Sequence, residues 1–205
     1  VYLSLSFLIN EYWHFLLLII FAATAVGFFA GLFGIGGGLI SVPCLFFIFE
    51  TLNFDKDYLM HLTVGTAFTI TIFTSTVSVI THNKNKLVDF RIVKTFGVFV
   101  VLGVLIGTVF ASFMKTKILV LFFSIVVYFF GAYLMMAQER VKKLKPNSSL
   151  KPRVILGIFS GFVSAPMGIT GAMMNVPMLR YLGYPISKCI GSAAAIGFFI
   201  SFTGS

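Results

Sequence analysis

Apolar runs dominate the chain, covering residues 12–33, 59–82, 92–113 and 117–137, with shorter ones at 39–50, 153–168, 171–182 and 187–205. A membrane-crossing helix needs about 20 mainly apolar residues, so the long runs predict crossings. A β-barrel would instead alternate in polarity over segments of about 10 residues, and this chain shows no such alternation. The pattern predicts an all-α, polytopic transmembrane helical bundle. One short run is the most informative. At about 1.5 Å per residue, a helix over 39–49 is only about 16 Å long, against a hydrocarbon core of about 30 Å. It follows Gly31-Leu32-Phe33-Gly34-Ile35-Gly36-Gly37-Gly38. Each Gly costs about 1 kcal/mol relative to Ala in a helix, so five within eight residues predict a break. The expectation is a helix that unwinds at mid-membrane and a half-helix that starts near Gly38.

Composition supports lipid as the solvent for most of the chain. Hydrophobic residues make up 59 % and charged residues 10 %, with a mean hydropathy of +1.04, whereas a soluble domain carries about 25 % charged residues. The net charge of +9 does not signal nucleic acid, because of where the charges lie. Arg140, Lys142, Lys143, Lys145, Lys151 and Arg153 fall in one polar connection, and Lys84, Lys86, Arg91 and Lys94 at another. That distribution is the positive-inside pattern. It places 138–153, 83–91 and the Arg180–Lys188 turn in the cytoplasm, and the acidic loop 50–61 outside. Lys115 and Lys117, outside, are the exception. Asn147-Ser148-Ser149 spells a glycosylation sequon but lies in a loop assigned to the cytoplasm. The run at 12–33 is too long for a signal-peptide core, and no small-residue cleavage site follows it.

An internal repeat organises the chain. Residues 27–43 lie over 161–177 without a gap, and Gly27, Gly34, Ile35, Gly37, Val42 and Pro43 recur. Val64-Gly65-Thr66-Ala67 then answers Ile190-Gly191-Ser192-Ala193. The charge-based topology sends the first copy in from outside and the second from inside. That is an inverted-topology repeat, a construction that puts substrate at the repeat interface near the midplane. The expected division is a first transmembrane repeat at 1–137, a basic cytoplasmic loop at 138–152, and an incomplete second repeat at 153–205. The chain opens on Val1 and its pattern breaks off at Ser205, so it reads as a fragment, with two more helices expected beyond Ser205.

Irregular backbone at membrane depth survives only where it is buried in protein or lines a cavity. A half-helix starting near Gly38 aims its free N–H groups and positive dipole end at the break, and its counterpart starts near Ala172. Two such ends form an anion site from backbone alone. The candidate substrate-binding residues are Gly36, Gly37, Gly38, Ser41, Thr66, Thr170, Gly171, Asn175 and Ser192. Ser41 and Asn175 are repeat equivalents one turn into the half-helices. Thr66 and Ser192 are also equivalents, each expected to start a helix after a Gly. Interhelical bonding, capping or packing is the competing reading for all four. Gly103 and Gly107 have small-xxx-small spacing and are read as packing residues. The glycine run is a poor nucleotide loop, lacking a following Lys-Ser/Thr and a preceding strand.

The stretch Gly27–Pro43, followed by Val64-Gly65-Thr66-Ala67, resembles the TauE/SafE (sulfite exporter) family of membrane transporters. The resemblance implies a multi-pass plasma-membrane carrier for sulfite, organosulfonates or related small anions. Thr170 and Ala172 stand where that family often has glycine, and Thr170 adds a hydroxyl donor.

No catalytic constellation is visible, so no enzyme activity and no cofactor are expected. His14, His61 and His82 fall near membrane ends without clustering, which gives no metal site. Cys44 and Cys189 lie in apolar stretches and read as filler. No carboxylate or histidine sits convincingly at membrane depth to couple transport to protons. The expected partners are a small anionic substrate and the lipid bilayer, with a homo-oligomer left open. The rival to a carrier is a non-transporting membrane subunit whose glycine motifs serve helix packing.

Overall fold

The computed structural model describes residues 37–136, 150–170 and 172–205, with isolated helical positions between residues 13 and 28. From Gly37 on, the described residues form α1 (Gly38–Thr51), α2 (Leu59–Lys84), α3 (Phe90–Ser112), α4 (Thr116–Met136), α5 (Leu150–Met167), α6 (Ala172–Tyr181) and α7 (Ile186–Gly204). No strand occurs among them. Four helices, α2, α3, α4 through Tyr133 and α7, are long and apolar enough to cross a membrane. The short runs become α1, α5 and α6. Because α5 starts at Leu150, the last part of the expected 138–152 loop is helical.

The polar residues of α2 do not prevent it from entering lipid. Thr63, Thr66, Thr71 and Thr76 donate their hydroxyls to carbonyls four residues back at 2.6–2.8 Å. Each donor is thereby satisfied inside its own helix. On α4, Ile118, Leu121, Ile125, Tyr128, Phe129 and Tyr133 are exposed, as befits an apolar helix in a bilayer. Inside, Phe68, Ile92, Phe96, Ile196 and Ile200 form a fully buried core between α2, α3 and α7.

Glycine sets the closest helix contact. A methyl at Gly103 or Gly107 of α3 would strike the Ile158 or Phe162 carbonyl of α5. A methyl at Gly157 or Gly161 of α5 would strike the Phe99 side chain or the Val100 carbonyl of α3. Both helices thus use small-xxx-small spacing on facing sides. The packing role expected of Gly103 and Gly107 is what the structure assigns them.

The loops sort into two ends. Lys188 Nζ donates to the Lys86 carbonyl at 2.6 Å, and Arg153 donates to the Tyr184 hydroxyl at 2.8 Å. The turns before α3 and α7 and the start of α5 therefore share one basic end. At the opposite end, the Thr116 hydroxyl donates to the Asp57 carbonyl at 2.7 Å. The 26 residues of α2 separate these ends by about 39 Å.

The second interruption reverses the chain. Ser160 donates to Asn175 Oδ1 at 2.6 Å, and Ser164 Oγ lies 3.7 Å from Met174 Sδ. With the Arg153–Tyr184 bond, these pairs nest one inside another around 168–171. So α6 runs back along α5 to the end from which α5 came, and the two form a re-entrant hairpin.

Candidate functional site

Two helix starts meet inside the bundle. α1 begins at Gly38 with Gly37 as its N-cap and no side-chain cap. The N–H groups of Ile40 and Ser41 reach the Gly37 carbonyl at 3.3 and 2.9 Å, which leaves those of Gly38 and Leu39 at the open helix end. The α5–α6 turn lies against this end. Gly38 packs so tightly on the Gly168 carbonyl and Ile169 Cα that a methyl there would collide with both. Gly168 itself has φ +64°, a left-handed conformation that costs glycine little and other residues more. A side chain at Gly168 would also press on Val42 and Val64.

From the meeting point the half-helices diverge. α1 packs Val42, Leu45 and Phe46 among Met60, Met114 and Leu119 towards the Asp57 end. α6 carries Leu179, and the turn after it Leu182, to Val88 and Ile92 at the basic end. The 14 residues of α1 and 10 of α6 make rods of about 21 and 15 Å. Placed tip to tip they match the length of α2, which puts their junction deep between the two ends.

Of the expected site residues, Gly37, Gly38, Ser41, Thr170 and Asn175 belong to these two tips. Gly36 and Gly171 lie outside the described residues. Among the described residues, nothing lies within 4 Å of a Cβ added at Gly37. Ser41 and Asn175 are each the fourth residue of their helix, and both are buried. The Ser41 hydroxyl reaches only its own Gly38 carbonyl, at 3.5 Å. Asn175 is 0 % exposed; its Oδ1 accepts from Ser160, and its Nδ2 has no partner among the described residues. An unpaired buried amide donor costs about 1–3 kcal/mol. Thr170 is buried in the turn between α5 and α6.

Thr66 and Ser192 do not start helices, contrary to expectation. Each lies about two turns inside, in α2 and α7. Gly191 is helical because α7 must press against the Leu87 carbonyl. Ser192 accepts from the Asp89 N–H at 3.0 Å and so braces the turn into α3 at the basic end. Thr66 donates to Leu62 of its own helix.

A cleft of about 220 Å³ opens beside the tips. His61, Gly65 and Phe68 of α2, Thr108 and Ser112 of α3, and Ala165 and Pro166 of α5 contribute to its walls. It thus reaches from the Asp57 end of α2 to the residues just before Gly168. Among the described residues that line it there is no acidic side chain, Lys or Arg, and His61 is the one titratable side chain. The Ser160–Asn175 bond and the contact of His61 with the Ala111 carbonyl were not apparent in the sequence. The paired Ser160 and Ser164, four residues apart on α5, were the available signal for the first. Among the described residues, no group of three or more His, Cys, Asp or Glu could hold a metal. Cys44 and Cys189 are free thiols, and Cys189 donates to the Tyr184 carbonyl at 3.4 Å.

Comparison with known proteins finds a family and several relatives. The family model described as "Sulfite exporter TauE/SafE" matches residues 19–205. A "Probable membrane transporter protein" of Haemophilus influenzae is 31 % identical over 194 residues, covering 93 % of this chain and 72 % of that protein. A similarly named protein of Methanocaldococcus jannaschii is 27 % identical over 180 residues, covering 87 % of this chain and 67 % of its own length. The "Probable membrane transporter protein YunE" of Bacillus subtilis is 24 % identical over 211 residues, covering 93 % of this chain and 77 % of its own. No solved structure matches the chain.

Proposed function

Since the chain belongs to the sulfite exporter TauE/SafE family and is a membrane transport protein, we propose that its substrate is a small oxyanion of the sulfite or organosulfonate class. The anion binds where the tips of α1 and α6 meet. Transport proceeds by alternating access at the junction of the two repeats, 1–137 and 153–205, in a plasma membrane that the chain crosses several times.

The buried, partnerless Nδ2 of Asn175 carries this reading. A donor held in the first turn of a half-helix, with its carbonyl oxygen fixed by Ser160, is ready for an acceptor brought from outside. The helix start adds backbone N–H groups and positive potential. Gly36, Gly37, Gly38 and Gly171 supply bare backbone, and Ser41 and Thr170 supply hydroxyls. No Lys or Arg is required, so the site holds a small anion without trapping it.

Labelled sulfite or methanesulfonate uptake into proteoliposomes tests the assignment, with Gly37→Leu as the variant. The space free of described residues at Gly37 lets that protein insert and fold, while the new side chain covers the helix end. Uptake is expected to fall to the level of empty vesicles. Normal uptake by Gly37→Leu rejects the backbone site.

A further inference from the structure

The tips are poor in charge, and that decides which anions they can hold. Residues 15–49, 62–81, 95–114, 118–137, 154–179 and 189–205 contain no Asp, Glu, Lys, Arg or His. Their titratable side chains are Cys44, Tyr128, Tyr133 and Cys189. His61 and His82 stand at the two ends of α2, and Arg153 and Arg180 at the basic end of the α5–α6 hairpin. Positive potential at the junction therefore comes from backbone. A helix start carries about half an elementary charge, so those of α1 and α6 together supply about one. The end of α5 at Met167 leads into the same turn, and its negative helix end subtracts from that sum.

Such a potential balances one negative charge and not two. Taking an ion out of water costs free energy that grows with the square of its charge, whereas its attraction to the helix starts grows only in proportion. The surroundings sharpen the difference. Val163, Met167, Ile169, Met173 and Met174 form a buried apolar cluster around the α5–α6 turn, and apolar walls leave a second charge unscreened.

We infer that the site selects by charge, accepting singly charged oxyanions such as hydrogen sulfite and alkanesulfonates and rejecting doubly charged sulfite and sulfate. This rests on the anion-carrier reading above and narrows it. For the sulfite couple the bound form is the protonated one, so each sulfite carries its own proton through the site. A proton-binding side chain at membrane depth is then unnecessary, in keeping with segments that hold no carboxylate or histidine.

The test is calorimetric titration of the full-length protein in detergent with methanesulfonate, sulfate and sulfite. Methanesulfonate and sulfate are tetrahedral and of similar size but differ by one charge. Methanesulfonate should bind equally well on either side of neutral pH, and sulfate at least about tenfold more weakly. Sulfite exchanges between its singly and doubly charged forms near neutrality, which separates the effect of charge from that of the methyl group. Its apparent affinity should weaken by up to about tenfold per pH unit on the alkaline side, as the competent fraction falls. Sulfate binding as tight as that of methanesulfonate, or sulfite affinity that stays flat across neutrality, overturns the charge rule and leaves the carrier reading standing. Failure of all three anions to bind at any pH overturns both.

Discussion

The starts of α1 and α6 occupy equivalent places in two copies of one motif, yet they offer an anion different things. The first is backbone: no described residue stands where a side chain at Gly37 would be, and Ser41 leans on its own helix. The second is furnished with side chains. Asn175 is braced by Ser160 and holds out an unused donor, and Thr170 is buried in the turn before α6. The difference teaches that a repeated fold need not be a repeated site. One copy can supply room and helix potential while the other supplies directed hydrogen bonds.

Variants can break this division, and the largest effect is expected at the contact itself. Gly38→Ala pushes a methyl into the Gly168 carbonyl, an overpacking cost of about 1–3 kcal/mol. The melting temperature in detergent should fall clearly, while Gly37→Ala leaves it in place. Equal melting temperatures would mean that the tips do not touch. Asn175→Ala comes next, because it removes the free donor and strands the Ser160 hydroxyl. A loss of about 1–3 kcal/mol corresponds to roughly 5- to 150-fold weaker sulfite binding by calorimetry. Thr170→Val keeps the shape and deletes a hydroxyl, so about 0.5–1.5 kcal/mol is at stake, or roughly 2- to 12-fold in the same assay. Ser41→Ala should be the mildest, within about 0.5 kcal/mol. If it weakens binding more than Asn175→Ala does, the division of labour runs the other way.

Much of the bundle was legible because its causes are local. Helix-breaking cost at Gly31–Gly38 and the shortness of the apolar run that follows led to a half-helix starting at Gly38, and that is where α1 begins. The same logic placed the start of α6 at Ala172. Other features depend on partners far along the chain. Gly65 and Gly191 look like breaks, but one faces a cleft and the other admits the Leu87 backbone, so both remain helical and carry Thr66 and Ser192 inside. His61 sits at the end of α2 as its place in the sequence suggests, but its contact with the Ala111 carbonyl of α3 depends on a partner 50 residues away. The return of α6 was implied by the basic residues that both precede α5 and follow α6, and the nested bonds of Ser160 and Ser164 show it.

The close approach of α3 and α5 bears on how such a protein can rearrange. Gly103, Gly107, Gly157 and Gly161 bring backbone against backbone with no slack, so axial sliding by one residue would drive a side chain into a carbonyl. The contact resists sliding along the helix axes and leaves pivoting about it free of such a clash. The contact joins residues 90–112 to residues 150–167, so the alternating access proposed above would turn about this seam, with the glycines as its bearing.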